Sequence, residues 1–562
     1  MSIETTPTSS STARLTATYR PEPSPEAGRH LFAAWRGSPW DQPWRIVALV
    51  ILATGFVLIN GAALDLGPVE SRLGLAANES FGPLGQKFGA WDPGIWPAQL
   101  APSLAWAWGE GRTPTANSVR WPAAIAGVLA GLVLARRLSR ELGGRAGVLV
   151  GACWFGCLAL MDRSAGAGVD LLTGLATVAA FDRLLARGSD LVAGGWLALA
   201  FLAGGWPPVA IALLATVVLG RHGATLTWRL ILPPVLAIAG WSAWALRVMP
   251  SEAWAAALAL PLTQKPAWWL IPGVLALGFP WSPLALQVAG RSMREGWPAP
   301  TRTLLVGWGQ VTLVCLLAGT VVPGLATAAA VPALAGLAMS AAAACERLIA
   351  RPGDVGRTPL RWFFGATLAL TLGWTLLIVI AGGYLAAAVA YYRVLAVGLA
   401  VSSVPLAALA VVAAARHNTR WAVCAVFGLA VCLRLAHWGY YVPEWNYRCS
   451  QGPWGRAIGQ WMPLRWPIYT IHTWPADFAF ATGHPVYQLP SERHLEYQPG
   501  DVKFVLLLAS EFENWPATAP KLVKMAESQD EYGEIRILAR TPGDLPWTAL
   551  ARSRLGRPTS GE

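Results

Sequence analysis

Stretches of about 20 predominantly apolar residues recur from Trp44 almost to Tyr440, the length an α-helix needs to cross the hydrocarbon core of a bilayer. The first runs from Trp44 to Leu64. It is followed by Val119–Leu134, Ala146–Leu160, Gly166–Leu185, Leu191–Ala203, Pro207–Leu219 and Leu230–Met249. Further segments are Trp268–Ala289, Leu304–Val321, Gly324–Ala343, Trp362–Ile380, Val394–Ala415 and Trp421–Tyr440. The pattern predicts an α-helical polytopic membrane protein with about thirteen transmembrane helices. A chain of 562 residues would otherwise suggest several soluble domains, but 54% of it is hydrophobic and only 13% charged.

The loops test this count. Arginine concentrates in alternate loops: Arg136, Arg137, Arg140 and Arg145, then Arg183 and Arg187, then Arg221 and Arg229. The series continues through Arg291, Arg294 and Arg302, through Arg347, Arg351, Arg357 and Arg361, and ends at Arg416 and Arg420. By the positive-inside rule these loops and the N-terminus are cytoplasmic. An odd number of spans then places the chain from about residue 441 on the external or periplasmic side. The polar residues 1–43, rich in Ser, Thr, Pro and Arg, read as a disordered cytoplasmic tail. The first apolar segment, behind such a tail, is expected to be an uncleaved span rather than a signal peptide. The net charge of +12 follows from loop arginines, so it signals topology and not a nucleic-acid-binding face.

Residues 441–562 are expected to form a small external α/β domain. Ile468–Thr473, Pro485–Leu489, Lys503–Ala509 and Glu534–Ala539 read as strands from their β-branched and aliphatic content. Gly455–Trp461, Ala476–Ala481 and Pro520–Ser528 read as helices. His472, His484 and His494 lack metal-ligand spacing, and the cysteines, Cys153 and Cys157 among them, read as small core residues. No metal ligand set is identified, and use of a divalent metal stays open.

Polar groups that have no obvious reason to lie near a membrane converge on the external face. The loop 65–118 between the first two spans mixes interfacial Trp and Leu with Glu70 and Arg72. Arg120 opens the second span, Asp162 and Arg163 precede the fourth, Asp170 stands at its outer end, and Arg434 and His437 lie near the outer end of the last. Charges at such depth need a purpose. Arginines suit phosphate, which they hold bidentately, and a nearby carboxylate suits a general base or metal ligand. Interfacial anchors and structural ion pairs are the other reading of the same charges.

On these residues the chain resembles the GT-C class of membrane glycosyltransferases, and within it the family 39 group shared by lipid A aminoarabinose transferases and protein O-mannosyltransferases. Pro68-Val69-Glu70-Ser71-Arg72 falls where that family has Pro-Asp-Glu-x-Arg-Tyr, and Arg120-Trp121-Pro122 on its Arg-x-Pro. Val169-Asp170 falls on a family aspartate, Phe279-Pro280-Trp281 on a Phe-Pro-Trp element, and Asp477 to Pro485 on a segment of the external domain. The resemblance implies a polyprenyl-phosphate sugar as donor and a lipid, protein or glycan as acceptor. It gives the loop 65–118 the role of an active-site loop within a membrane domain spanning 44–440.

The departures bear on activity. Val69 stands where the family keeps its catalytic aspartate. Leu100-Ala101-Pro102 replaces a Glu-Lys-Pro element, and a Thr-Lys-Gly element aligns near Ala203-Gly204-Gly205. Two readings follow. In the first, the chain is an active glycosyltransferase in which Glu70 takes the base role, Asp170 supports it, and Arg72, Arg120, Arg163 and Arg434 hold phosphate. In the second, the fold persists as a catalytically degenerate lipid-binding or scaffolding protein. A solute transporter would show repeated halves, and no internal repeat is present.

Overall fold

The structure is a computed structural model. It describes residues 116–158, 160, 169–220, 226–248, 265–294, 297–444, 450–462, 466–471, 476–484, 486–489, 491–495, 502–529 and 534–543, with four positions between 100 and 108. The helices of the membrane region are α1 (Ala116–Leu142), α2 (Gly144–Phe155), α3 (Val169–Leu185), α4 (Asp190–Gly204), α5 (Trp206–Leu219) and α6 (Trp228–Val248). They continue with α7 (Leu270–Leu277), α8 (Ser282–Gln287), α9 (Ala299–Val321), α10 (Ala326–Ala350), α11 (Arg357–Leu377), α12 (Arg393–Ala415) and α13 (Thr419–Ala436). Among the described residues, seven helices are long and apolar enough to cross a membrane, and α2, α4 and α5 are shorter apolar helices. The expected first span, Trp44–Leu64, lies outside the described residues.

The bundle is organised around α10. Its sequence is dominated by alanine, and nearly every residue from Ala326 to Leu348 is buried. Small side chains let neighbouring backbones approach closely, which is how helices associate inside a membrane. A Cβ on Gly336 would overlap the Thr312 hydroxyl of α9, and one on Gly174 of α3 would overlap Val331 of α10. Helices α2, α3, α8 and α9 pack on this hub. By contrast α12 turns Val394, Val397, Val401 and Val404 outward, each more than half exposed. That 3-4-3 spacing marks a lipid-facing stripe.

Helix polarity brings the arginine-rich turns to one end of the bundle. There Arg145 at the start of α2 donates from Nε to Glu346 Oε2 of α10 at 2.7 Å and from its terminal nitrogen to Oε1. Arg137 of α1 lies 3.6 Å from Asp182 of α3. Arg347 donates to the Met293 carbonyl and lies over the Trp297 ring. The Thr419 hydroxyl at the start of α13 donates to Leu348 O at 2.7 Å. Arg229 over Trp228 and Arg416 over Trp421 add two cation–π contacts at this end.

Two elements depart from expectation. Trp268–Ala289 is not one helix: α7 and α8 flank a turn at Phe279-Pro280, because proline lacks the N–H that would continue the ladder. Residues 520–528, rich in helix formers, instead contribute an edge strand.

The C-terminal region carries α14 (Gly452–Gln460), α15 (Ala476–Ala481) and the strands β1 (Ile468–Thr470), β2 (Val486–Gln488), β3 (Phe504–Leu508), β4 (Val523–Gln529) and β5 (Ile535–Arg540). They form one mixed sheet in the order β2-β1-β3-β5-β4, with β1 parallel to both β2 and β3, and β5 antiparallel to β3 and β4. Pairing with the buried β5 overrides the helical preference of Lys524, Met525, Ala526 and Glu527. The charges suit an edge, where they oppose pairing with a further strand.

Candidate functional site

The end of the bundle opposite the arginine-rich turns carries Arg120, Asp170, Arg434 and His437 of the polar residues singled out by the sequence. Arg120 is in the first turns of α1 and is 3% exposed. Asp170 is in the first turn of α3. Helices α1 and α3 run in the same direction from this end, and Arg137 meets Asp182 at the other. Arg120 and Asp170 therefore lie near the starts of two neighbouring helices at one end of the bundle. Asp170 lies at a positive helix terminus, which favours a carboxylate. Arg120 adds its charge to another such terminus, so its surroundings favour an anion.

Arg434 reaches the same end on α13. The junction beneath it is closely packed: a Cβ on Gly156 would lie 3.2 Å from both Ala430 Cβ and Trp281 Nε1. Trp281 packs on Phe427 with ring centroids 4.7 Å apart, and the Leu158 N–H donates to Phe279 O at 3.2 Å. Trp154 Nε1 donates to Gly127 O at 2.9 Å, tying the end of α2 to α1. The Phe279-Pro280-Trp281 element is thus the wedge on which α2 and α13 meet. Arg434, four residues beyond Ala430, lies one turn above it on the same helix face. Glu70, Arg72, Asp162 and Arg163 lie outside the described residues.

Sequence reasoning named His437 at this end and missed the tyrosines around it. The Tyr392 hydroxyl, just before α12, donates to Glu444 Oε2 at 3.1 Å, and its ring tilts against Tyr440 with centroids 5.2 Å apart. His437 stacks on Tyr441, centroids 5.0 Å apart and planes inclined by 26°. Both tyrosines and His437 belong to a π-helical turn, His437–Tyr441, and a second such turn, Ile378–Gly382, continues α11. The two touch where the Tyr440 hydroxyl lies beside Gly382. Widened turns of this kind occur often at functional sites. No single-residue signal announces them in a chain with this many apolar helices.

The segment Ala203-Gly204-Gly205, near which the resemblance aligns a lysine element, is closely packed. A Cβ on Gly204 would overlap the Thr173 hydroxyl, less than one turn beyond Asp170 on α3. The α3–α4 contact fills the space a side chain would need. In the C-terminal domain, the segment Asp477–His484 proves to be a packing element. Asp477 Oδ2 accepts from the Gln451 N–H at 2.8 Å, and the two ring nitrogens of buried His484 face Trp466 O and Gly459 O, each at 3.1 Å. Among the described residues no group of three or more His, Cys, Asp or Glu side chains could hold a metal ion.

No family model matches the chain, and no curated protein matches it. Solved structures do. ArnT from Cupriavidus metallidurans bound to undecaprenyl phosphate matches with a TM-score of 0.67 and 14% identity, over 88% of this chain and 97% of ArnT. The chain has the fold of ArnT. The apo structure of the same ArnT gives a TM-score of 0.65 and 15% identity, over 89% of this chain and 98% of ArnT. Because nearly all of ArnT is covered, the likeness takes in the C-terminal region as well as the helices. The fold agrees with the one that the sequence resemblance implied.

Proposed function

We propose that this protein is a membrane glycosyltransferase that moves a sugar from a polyprenyl-phosphate donor to a lipid, protein or glycan acceptor. The observation that carries this reading is the ArnT fold, whose solved example binds undecaprenyl phosphate, combined with arginines at one end of the bundle. Arg120 and Arg434, with Arg72 and Arg163, hold the lipid-linked phosphate and stabilise it as it leaves, an electrostatic task suited to a partly dry site. Glu70 takes the acceptor's proton, and Asp170 supports it. The arginine-rich end faces the cytoplasm, so transfer takes place at the external face of the membrane.

The second reading, a lipid-binding scaffold, is favoured by one specific observation: Thr173 occupies the space beside Gly204 where the family's lysine would go. One experiment separates the two. Purified protein is incubated with radiolabelled polyprenyl-phosphate sugars and a membrane extract. Transfer releases free lipid phosphate and labels an acceptor. Binding without release would leave the scaffold reading standing and remove the enzymatic one.

A further inference from the structure

Arg434, His437 and Tyr441 form a ladder along one side of α13 and the turn that extends it. Arg434 is three residues before His437, a spacing that makes side chains neighbours on a helix. His437 and Tyr441 are in stacked contact, centroids 5.0 Å apart. The ladder begins one turn above the Gly156–Ala430 contact and climbs about 10 Å along the axis, from the half-buried Arg434 to Tyr441, which is 46% exposed.

The π-helical turn gives two adjacent tyrosines different tasks. Successive helical residues diverge by about 100°, so Tyr440 and Tyr441 point to different sides. Tyr440 turns toward α11 and α12, where its ring meets Tyr392 and its hydroxyl lies beside Gly382. This fixes the turn and leaves Tyr441 on the side of His437 and Arg434. Tyr384 and Tyr391, each 76% exposed, serve as interfacial anchors of the ordinary kind. Tyr441 differs from them in stacking on the His437 imidazole, which follows Arg434 by three residues.

We infer that this ladder is the donor's glycosyl-phosphate subsite: Arg434 takes the phosphate, and the stacked His437–Tyr441 pair supplies a platform for the sugar ring attached to it. A guanidinium meets a phosphate with paired N–H donors. Flat rings with an apolar face and a polar edge suit a pyranose or furanose, whose C–H face packs and whose hydroxyls stay solvated. The inference rests on the glycosyltransferase reading above and adds which part of the donor these residues hold.

The test is direct binding to the full-length protein in detergent, without turnover. Two probes are compared: a polyprenyl phosphate with no sugar, and a panel of polyprenyl-phosphate pentoses and hexoses. The parent protein should bind at least one glycosylated lipid more tightly than the bare phosphate. Tyr441→Ala and His437→Ala should lose about tenfold in affinity for that lipid and keep their affinity for the bare phosphate. Tyr441→Phe, which retains the ring, should recover most of the affinity that Tyr441→Ala loses. Arg434→Gln should weaken both probes alike, and Tyr384→Ala neither. An equal loss for both probes in Tyr441→Ala would reduce Tyr441 to an interfacial anchor and overturn the inference, as would a parent with no preference for glycosylated lipid. A parent that binds neither probe would instead remove the glycosyltransferase reading itself.

Discussion

Arg145 and Glu346, 201 residues apart in the chain, meet through two hydrogen bonds at one end of the bundle. The Glu346 side chain is 4% exposed, so the guanidinium is the group that compensates its removal from water. The pair fastens α2 to the enclosed helix α10 beside the arginine-rich turns. Removing Arg145 strands the buried carboxylate, which costs about 3–5 kcal/mol in such settings, whereas removing Glu346 leaves a guanidinium that is 23% exposed and costs less. Arg145→Ala and Glu346→Ala should each lower thermal stability in detergent accordingly. The double variant Arg145→Met/Glu346→Leu should recover much of the loss. A double variant as unstable as the sum of the singles would show that the two side chains are not coupled.

Glu70→Gln and Asp170→Asn test the proposed chemistry. A positioned general base contributes about 10²- to 10⁴-fold, so Glu70→Gln should slow sugar transfer by at least the lower figure. Asp170→Asn should slow it less and leave donor binding unchanged. Turnover of the labelled donor at the parent's rate by correctly folded Glu70→Gln protein would reject Glu70 as the base.

Placing the family's lysine back at position 204 should fail for steric reasons. Gly204→Lys meets the Thr173 hydroxyl, and overpacking of this kind costs about 1–3 kcal/mol. Adding Thr173→Ala should relieve part of that cost. Thermal unfolding of the two variants decides the matter: equal stability would show that the α3–α4 contact gives way freely.

In the C-terminal region, His484→Ala leaves the carbonyls of Trp466 and Gly459 without their ring partner. Gly459 O keeps the Met462 N–H at 3.3 Å, so the loss is that of a net hydrogen bond, about 0.5–1.5 kcal/mol. The expected result is faster proteolysis near α14 and α15, with cleavage of the membrane helices unaltered. Unchanged proteolysis would mean that water replaces the imidazole without penalty.

The membrane helices were legible because a bilayer imposes a length and a composition that few other pressures imitate. Arg145, Arg183 and Arg347 marked which turns share an end, and the ion pairs there bring those turns together. The break at Phe279-Pro280 was harder to see, since flanking apolar residues hide a proline from a hydropathy window. Residues 520–528 misled for a different reason: Lys524, Met525, Ala526 and Glu527 favour a helix in isolation, and pairing with β5 overrides them. Of the site, Arg120, Asp170 and Arg434 stood out as charges in apolar surroundings. The stacking of His437 on Tyr441 did not, because it depends on a widened turn held from outside by Tyr392 and Gly382.

The enclosure of α10 has a consequence for the order in which the protein is made. Synthesis runs from the N-terminus, so α2, α3, α8 and α9 enter the membrane before the helix they surround. Until residue 350 is complete, the surfaces that will grip it, including Gly174 and Thr312, face lipid or one another. The half-made protein lacks its central helix, and α10 joins it before α13, which packs on α10, has been made. Lesions on α10 should act first on biogenesis, before any effect on the finished molecule.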